Sequence, residues 1–201
     1  MPDDLILNHF ELFYVRSDLP LRINHNRSAT ARELEWAHAD EDKIEMEKWI
    51  PIFFQGLVYT TEPLEFIANE GIKKLLPIAG GARVAAMLPE ILTPLMIALA
   101  SDDQRAVAAA MRSVQLLTQL DAAVAQQLIH QYSRLVPYFN KHRIQPNSSG
   151  SGDAIDYGQN DKTKINLADL GQQTLKMMEE TGGAYAQQRI KFCMPTYESQ
   201  V

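Results

Sequence analysis

The sequence predicts a mainly α fold, an armadillo/HEAT-like helical solenoid with a small N-terminal β-hairpin, and three observations predict it. From Trp49 onward the large apolar residues recur every three or four positions, the period of helices that bury one face. Before that, Leu19, Leu21 and Ile23 and then Leu34 and Trp36 alternate with polar neighbours, the period of a strand. Third, one eight-residue apolar pattern returns at offsets of 38 and 41 residues.

Taken in order, residues 1–44 form an N-terminal segment in which Leu19–His25 and Arg32–Trp36 make the two strands. The turn-rich Asn26-Arg27-Ser28 joins them. An acidic connector, Asp40-Glu41-Asp42, leads into residues 45–144, the helical repeats. Trp49, Ile50, Phe53, Phe54, Leu57 and Val58 lie at helical spacing there, and Pro51 suits a first turn or a kink. A short helix begins at Glu62-Pro63 and is expected to end at Gly71. Ile72–Leu76 is read as a second short helix, stopped by Gly80-Gly81. Val84, Leu88, Ile91, Leu92, Leu95 and Leu99 line one face of the next helix. Ser101-Asp102-Asp103 caps its successor, and Asp121 caps a third that carries Val124, Leu128, Tyr132, Leu135 and Phe139. Residues 145–164 are a long polar loop, too rich in Ser, Gly and Asn for a core element. In 165–201 a last helix places Leu167, Leu170, Leu175 and Met178 inward and ends at Gly182-Gly183. Tyr185–Phe192 adds a turn or two before the tail. The whole is expected to be one domain.

The repeat aligns Ile50–Leu57 with Leu88–Leu95 and with Ile129–Val136, with apolar residues at the first, fourth and eighth places. Stacked helix pairs of about 40–47 residues have this period, because no single pair covers its own apolar face. A bundle of helices of similar length also produces such offsets. The recurring proline entry and capping aspartates favour the solenoid.

Charge narrows the partners. The 201 residues hold 19 Lys+Arg against 25 Asp+Glu, a net charge of −6. All of the imbalance lies in residues 1–80, with 8 basic and 14 acidic residues, while 81–201 hold 11 of each. Generic binders of nucleic acid or anionic lipid neutralise phosphates with a basic excess, so neither nucleic acid nor membrane is an expected partner. No stretch of 18 apolar residues runs free of proline and polar breaks, and Val84–Ala100 reads as a buried helix. A single cysteine and a start without a basic, then apolar, leader point to a reducing, intracellular setting.

No coherent chemistry emerges. The five histidines (9, 25, 38, 130, 142) never reach the spacing of a metal-binding helix, and Asp153, Asp156 and Asp161 lack the order of a calcium loop. Gly150-Ser151-Gly152 fits neither a nucleophile elbow nor a phosphate loop. Cys193 reads as a small hydrophobe and His130 as a boundary residue. No cofactor, metal or catalytic residue is expected. What remains suits recognition of a protein: Arg16, Arg22, Arg27 and Arg32 near the hairpin, and Lys141, Arg143, Lys162 and Lys164 around the long loop. Any one of these is equally satisfied as an ordinary solvated charge.

Particular strings then carry a resemblance. Phe13-Tyr14-Val15-Arg16-Ser17-Asp18-Leu19-Pro20-Leu21 with His25, Trp49–Leu57, Gly152-Asp153-Ala154-Ile155-Asp156-Tyr157-Gly158-Gln159, and Ile190-Lys191 with Pro195-Thr196-Tyr197-Glu198-Ser199 resemble the parkin co-regulated protein family, from about Asn8 to the C-terminus. Ser17 and Ala154 stand where the family's usual form has glycine. The resemblance implies an armadillo/HEAT-like fold without enzymatic activity. It also implies a structural role in the axoneme of cilia and flagella, binding α/β-tubulin at the inner junction of doublet microtubules. A small β-rich inner-junction protein and other axonemal proteins are the further partners it implies, and a soluble adaptor for small proteins away from microtubules is the alternative. The motif-bearing ends then supply Asp153, Asp156, Tyr157, Pro195, Thr196, Tyr197 and Glu198 as expected contacts, beside Arg16, Arg22, Lys141, Arg143, Lys162 and Lys164. Because tubulin is acidic, docking is expected on the charge-balanced C-terminal two thirds.

Overall fold

The computed structural model describes residues 8–24, 32–37, 44–144 and 166–199. In chain order these form α1 (His9–Val15), β1 (Leu21–Asn24), β2 (Glu33–Trp36), α2 (Met46–Gln55) with a 3₁₀ turn at Gly56–Val58, α3 (Leu64–Ala79), α4 (Gly81–Leu99), α5 (Gln104–Leu120), α6 (Ala122–Ile129), α7 (Tyr132–Ile144) and α8 (Leu167–Cys193). The mainly helical architecture and the antiparallel strand pair agree with the sequence reading, with Leu21 opposite Trp36 and Arg22 opposite Glu35. The turn between the strands lies outside the described residues, as does the loop 145–164.

Helix α1 was not expected, because seven residues rich in aromatics are too short to persist alone. Two contacts outside the helix hold it. Phe10 is fully buried with its ring edge-on to Phe53, centroids 5.4 Å apart, and the Asn8 carboxamide caps the Phe10 N–H at 3.1 Å while donating to the Gln55 carbonyl at 3.0 Å. Burial of one such ring stabilises by roughly 1.5–3 kcal/mol, enough to fix a helix this short.

Gly71 does not end a helix. Helix α3 runs unbroken from Leu64 to Ala79, and Gly71 sits inside it facing the Phe53 ring, where a Cβ would collide with the ring carbons. Its glycine serves close approach of α3 to α2. Pro51 lies beyond the first turn of α2, which begins at Met46. Helix α4 is long and apolar enough to cross a membrane, and ten of its residues between Val84 and Leu99 are buried, with α4 packed on α2, α5 and α6.

Asp103 and Asp121 cap α5 and α6 as expected, accepting from the N–H groups of Arg105 and Ala123, each at 2.8 Å. The single helix expected after Asp121 breaks at His130-Gln131 into α6 and α7. The break keeps the register, so Val124, Leu128, Tyr132, Leu135 and Phe139 are all fully buried. The Gly182-Gly183 stop is real in conformation: Gly183 has φ 64° and ψ −157°, a left-handed φ that only glycine adopts freely, and the chain re-enters helix beyond it. The two halves of α8 are therefore separately aimed.

Helix α8 closes the core by packing on α5, α6 and α7. Polar ties fix it there. The Tyr132 hydroxyl donates to the Met178 carbonyl at 2.9 Å, and Gln115 Nε2 donates to Thr174 Oγ1 at 3.0 Å.

Candidate functional site

Two of the strings that stand out in the sequence, Phe13–Leu21 and Trp49–Leu57, meet in space. Phe13, at the end of α1, packs edge-on to Trp49 of α2 with centroids 5.2 Å apart, and Lys48 Nζ lies 5.3 and 4.6 Å from the two ring centroids. The Gln55 side-chain oxygen accepts from the His9 N–H at 3.1 Å, and the Tyr59 hydroxyl donates to Glu11 at 2.6 Å. Burial and that carboxylate hold the Tyr59 phenol well above its usual range. These residues join α1 to the body of the fold.

Ser17 completes the same joint. Its φ of 57° is left-handed, its N–H donates to the Tyr14 carbonyl at 2.9 Å, and the Asp18 N–H donates to Phe13 at 2.9 Å. That pair of bonds is a Schellman cap, whose left-handed position favours glycine. The conformation accounts for the glycine expected there.

The C-terminal string turns inward. Tyr197, expected to meet a partner, is 4% exposed and donates at 2.8 Å to Glu179, itself 5% exposed, while the Ser199 hydroxyl reaches the other carboxylate oxygen at 2.6 Å. This corrects the reading of Tyr197: the tail is latched to the first half of α8, and an aromatic ring beside a buried acid is used inside the chain. Burial first, then the Glu179 carboxylate, keeps the Tyr197 phenol protonated far into the alkaline range. Pro195, Thr196 and Glu198 are exposed around it.

The expected basic contacts divide. Arg16 is exposed at the α1 C-cap. Arg22 is exposed but spent on a cross-strand pair with Glu35 at 2.8 Å, at the edge of a hollow of about 490 Å³ lined by Tyr14, Ser17, Leu19, Leu21 and Ile23. Arg32 pairs with Glu62 at 3.0 Å. Lys141 is exposed on α7 and Arg143 lies on the same helix. Arg27, Asp153, Asp156, Tyr157, Lys162 and Lys164 lie outside the described residues.

One surface escaped the sequence reading. In the second half of α8, Tyr185, Arg189 and Phe192 stand at i, i+4 and i+7, and so on one face. Tyr185 is 49% and Phe192 81% exposed, while Ala186 and Ile190 behind them are fully buried. The spacing was visible in the sequence. In sequence alone Tyr185–Phe192 gives only an extra turn or two of helix, because spacing does not say which face stays exposed.

Among the described residues no group of three His, Cys, Asp or Glu side chains is placed to hold a metal ion. Cys193, half-buried at the end of α8, has its thiol pushed up by burial against the opposing pull of Arg189, which lowers the thiolate fraction.

Fold and geometry together define a mainly α-helical protein with a two-strand N-terminal sheet, with Phe13, Trp49 and Tyr197 built into internal joints and exposed cations and aromatics on its outer faces. Residues 8–199 match the family model described as parkin co-regulated protein, and the chain belongs to that family. A mouse (Mus musculus) protein named parkin coregulated gene protein homolog is 30% identical over 190 residues, which cover 94% of this chain and 76% of the mouse protein.

Proposed function

We propose that this chain is a structural, non-enzymatic component of ciliary and flagellar doublet microtubules, binding α/β-tubulin at the inner junction beside a small β-rich protein. The observation that carries the reading is the family match across residues 8–199, together with what that family's resemblance implies. Its setting is the axoneme, and it needs no cofactor for this role.

The geometry supports such a role in two ways. The helical body is read as an armadillo/HEAT-like stack, since the first, fourth and eighth residues of each repeated octad are buried: Ile50, Phe53, Leu57; Leu88, Ile91, Leu95; Ile129, Tyr132, Val136. Such a body presents rigid faces, and copies placed along a polymer add modest contacts by avidity. The second support is charge: the acidity is confined to residues 1–80, which leaves the remainder balanced against an acidic polymer.

Cryo-electron microscopy of doublet microtubules tests the reading, with this helical density expected at the inner junction. Detergent extraction of flagella separates the alternatives. A staple stays with the insoluble doublets, whereas a chain recovered wholly in the extract is the soluble adaptor. Reversing the charges of Lys141, Arg143, Lys162 and Lys164 together is expected to weaken microtubule co-sedimentation, and unchanged binding would remove these cations from the interface.

A further inference from the structure

The second half of α8 is re-aimed by the break at Gly183 and carries Tyr185, Arg189 and Phe192 on one exposed face. Arg189 lies with its guanidinium carbon 5.2 Å from the Tyr185 ring centroid, and its Nε and Nη2 groups donate to the Tyr185 hydroxyl at 3.2 and 2.8 Å. Of the five N–H donors on a guanidinium, these contacts leave part of the fork open. Among the described residues no carboxylate forms an ion pair with Arg189 or with Lys191, although Arg22, Arg32, Arg83 and Arg105 each have one. From Thr181 to Tyr197 the sequence holds these two cations and no carboxylate at all.

An arginine immobilised by a neighbouring tyrosine has lost much of its side-chain entropy before any partner arrives. Its open fork matches a carboxylate in shape and charge. Phe192, one turn further along, offers a bare ring whose coverage would exclude water from that ion pair. Tyr, Arg and Phe in one patch are also the residue types enriched at the centres of protein interfaces.

We propose that the Tyr185–Arg189–Phe192 face of α8 docks an acidic segment of a partner protein, a carboxylate of the partner pairing with Arg189 and an apolar group covering Phe192. Arg189 and Lys191 favour an acidic partner over a basic one, although Glu180 and Glu198 flank the face, and two cations are too few for a lipid surface. The inference deepens the microtubule reading and rests on it only for which acidic protein supplies the segment.

Decaglutamate peptide is the direct probe, titrated into the full chain labelled with ¹⁵N. Backbone shifts are expected to cluster at residues 185–192 and to vanish in Arg189→Glu. No shift, or shifts centred elsewhere, overturns the proposal. Microtubules stabilised with taxol give the second arm. If the wild-type chain co-sediments, Arg189→Glu and Phe192→Ala are each expected to raise Kd at least about tenfold, a loss typical of a central contact. Binding by both variants at wild-type strength overturns this face and leaves the microtubule reading standing. Failure of the wild type to co-sediment, with the peptide still binding, removes microtubules as the source and retains the face. Phe192 is 81% exposed, so Phe192→Ala is expected to keep the wild-type melting curve. A wild-type dimer that Phe192→Ala converts to monomer, with peptide binding unaltered, assigns the face to a second copy and also overturns the proposal.

Discussion

The Tyr197 hydroxyl donates a 2.8 Å hydrogen bond to the buried carboxylate of Glu179, eighteen residues earlier in the chain, closing the C-terminal tail against the first half of α8. Removing that donor leaves a buried charge with less compensation. Tyr197→Phe is expected to lower stability by about 1.5–3 kcal/mol, the range for hydrogen bonds to charged groups, measured as a lower urea midpoint at unchanged slope. Ser199→Ala, whose residue is exposed, is expected to cost less. A Tyr197→Phe midpoint equal to wild type would show that the tail is not held by this bond.

The same tyrosine sets a pH dependence on the alkaline side. Tyr59, Tyr132 and Tyr197 all have their phenols raised in the fold, chiefly by burial. Above about pH 10 the unfolded chain loses these protons while the folded chain keeps them. The unfolded state then binds fewer protons, so stability is fully present below that pH and falls as pH rises. For the fully buried Tyr132 the limiting slope is about 1.4 kcal/mol per pH unit. Urea midpoints from pH 8 to 11 check this, and Tyr132→Phe is expected to flatten the decline.

Much of the fold was legible because periodicity encodes burial: every core position assigned between Val84 and Leu99 and between Val124 and Phe139 is buried. What failed was tertiary. Gly71 looks like a helix end in sequence, and only the Phe53 ring lying against it reveals a packing role. Helix α1 is invisible to periodicity because Phe53, forty-three residues away from Phe10, stabilises it. The expected contact at Tyr197 fails for a related reason. A motif marks a constrained residue without saying whether the constraint is a partner or the chain's own Glu179, as with Tyr197.

Gly71→Ala tests the packing role. In an exposed helix the change would stabilise by about 1 kcal/mol. Here the new methyl group meets the Phe53 ring within a fully buried contact, and overpacking of about 1–3 kcal/mol is expected to outweigh the propensity gain. A thermal melt gives the sign. Combining it with Phe53→Leu is expected to cost less than the two separate losses together, since the smaller side chain makes room for the methyl.

Asp103 joins two elements, capping α5 and accepting the Thr60 hydroxyl at 2.8 Å. The Thr60 bond, then the Arg105 backbone N–H, hold its carboxyl below the usual range. Its contribution is therefore present above about pH 4 and lost as pH falls through the lower folded value. Asp103→Ala is expected to destabilise by about 1 kcal/mol at pH 7, whereas Asp103→Asn retains a cap and costs less. The gap between Asp103→Ala and wild type is expected to narrow in melts at pH 3.

Ser17 offers a gain. It occupies the left-handed position of the α1 cap at φ 57°, is exposed, and its backbone bonds to Tyr14 and Asp18's to Phe13 require that conformation. A non-glycine residue there costs about 1–2 kcal/mol, while glycine loses about 0.4–1 kcal/mol more chain entropy on folding. Ser17→Gly is therefore expected to stabilise by about 0.5–1 kcal/mol, and Ser17→Val, β-branched, to destabilise. Because α1 is only seven residues long and anchored by Phe10, the gain should appear first as slower amide exchange in α1 and then as a small rise in Tm. Equal exchange rates in Ser17→Gly and wild type would mean that the cap conformation is not limiting for this helix.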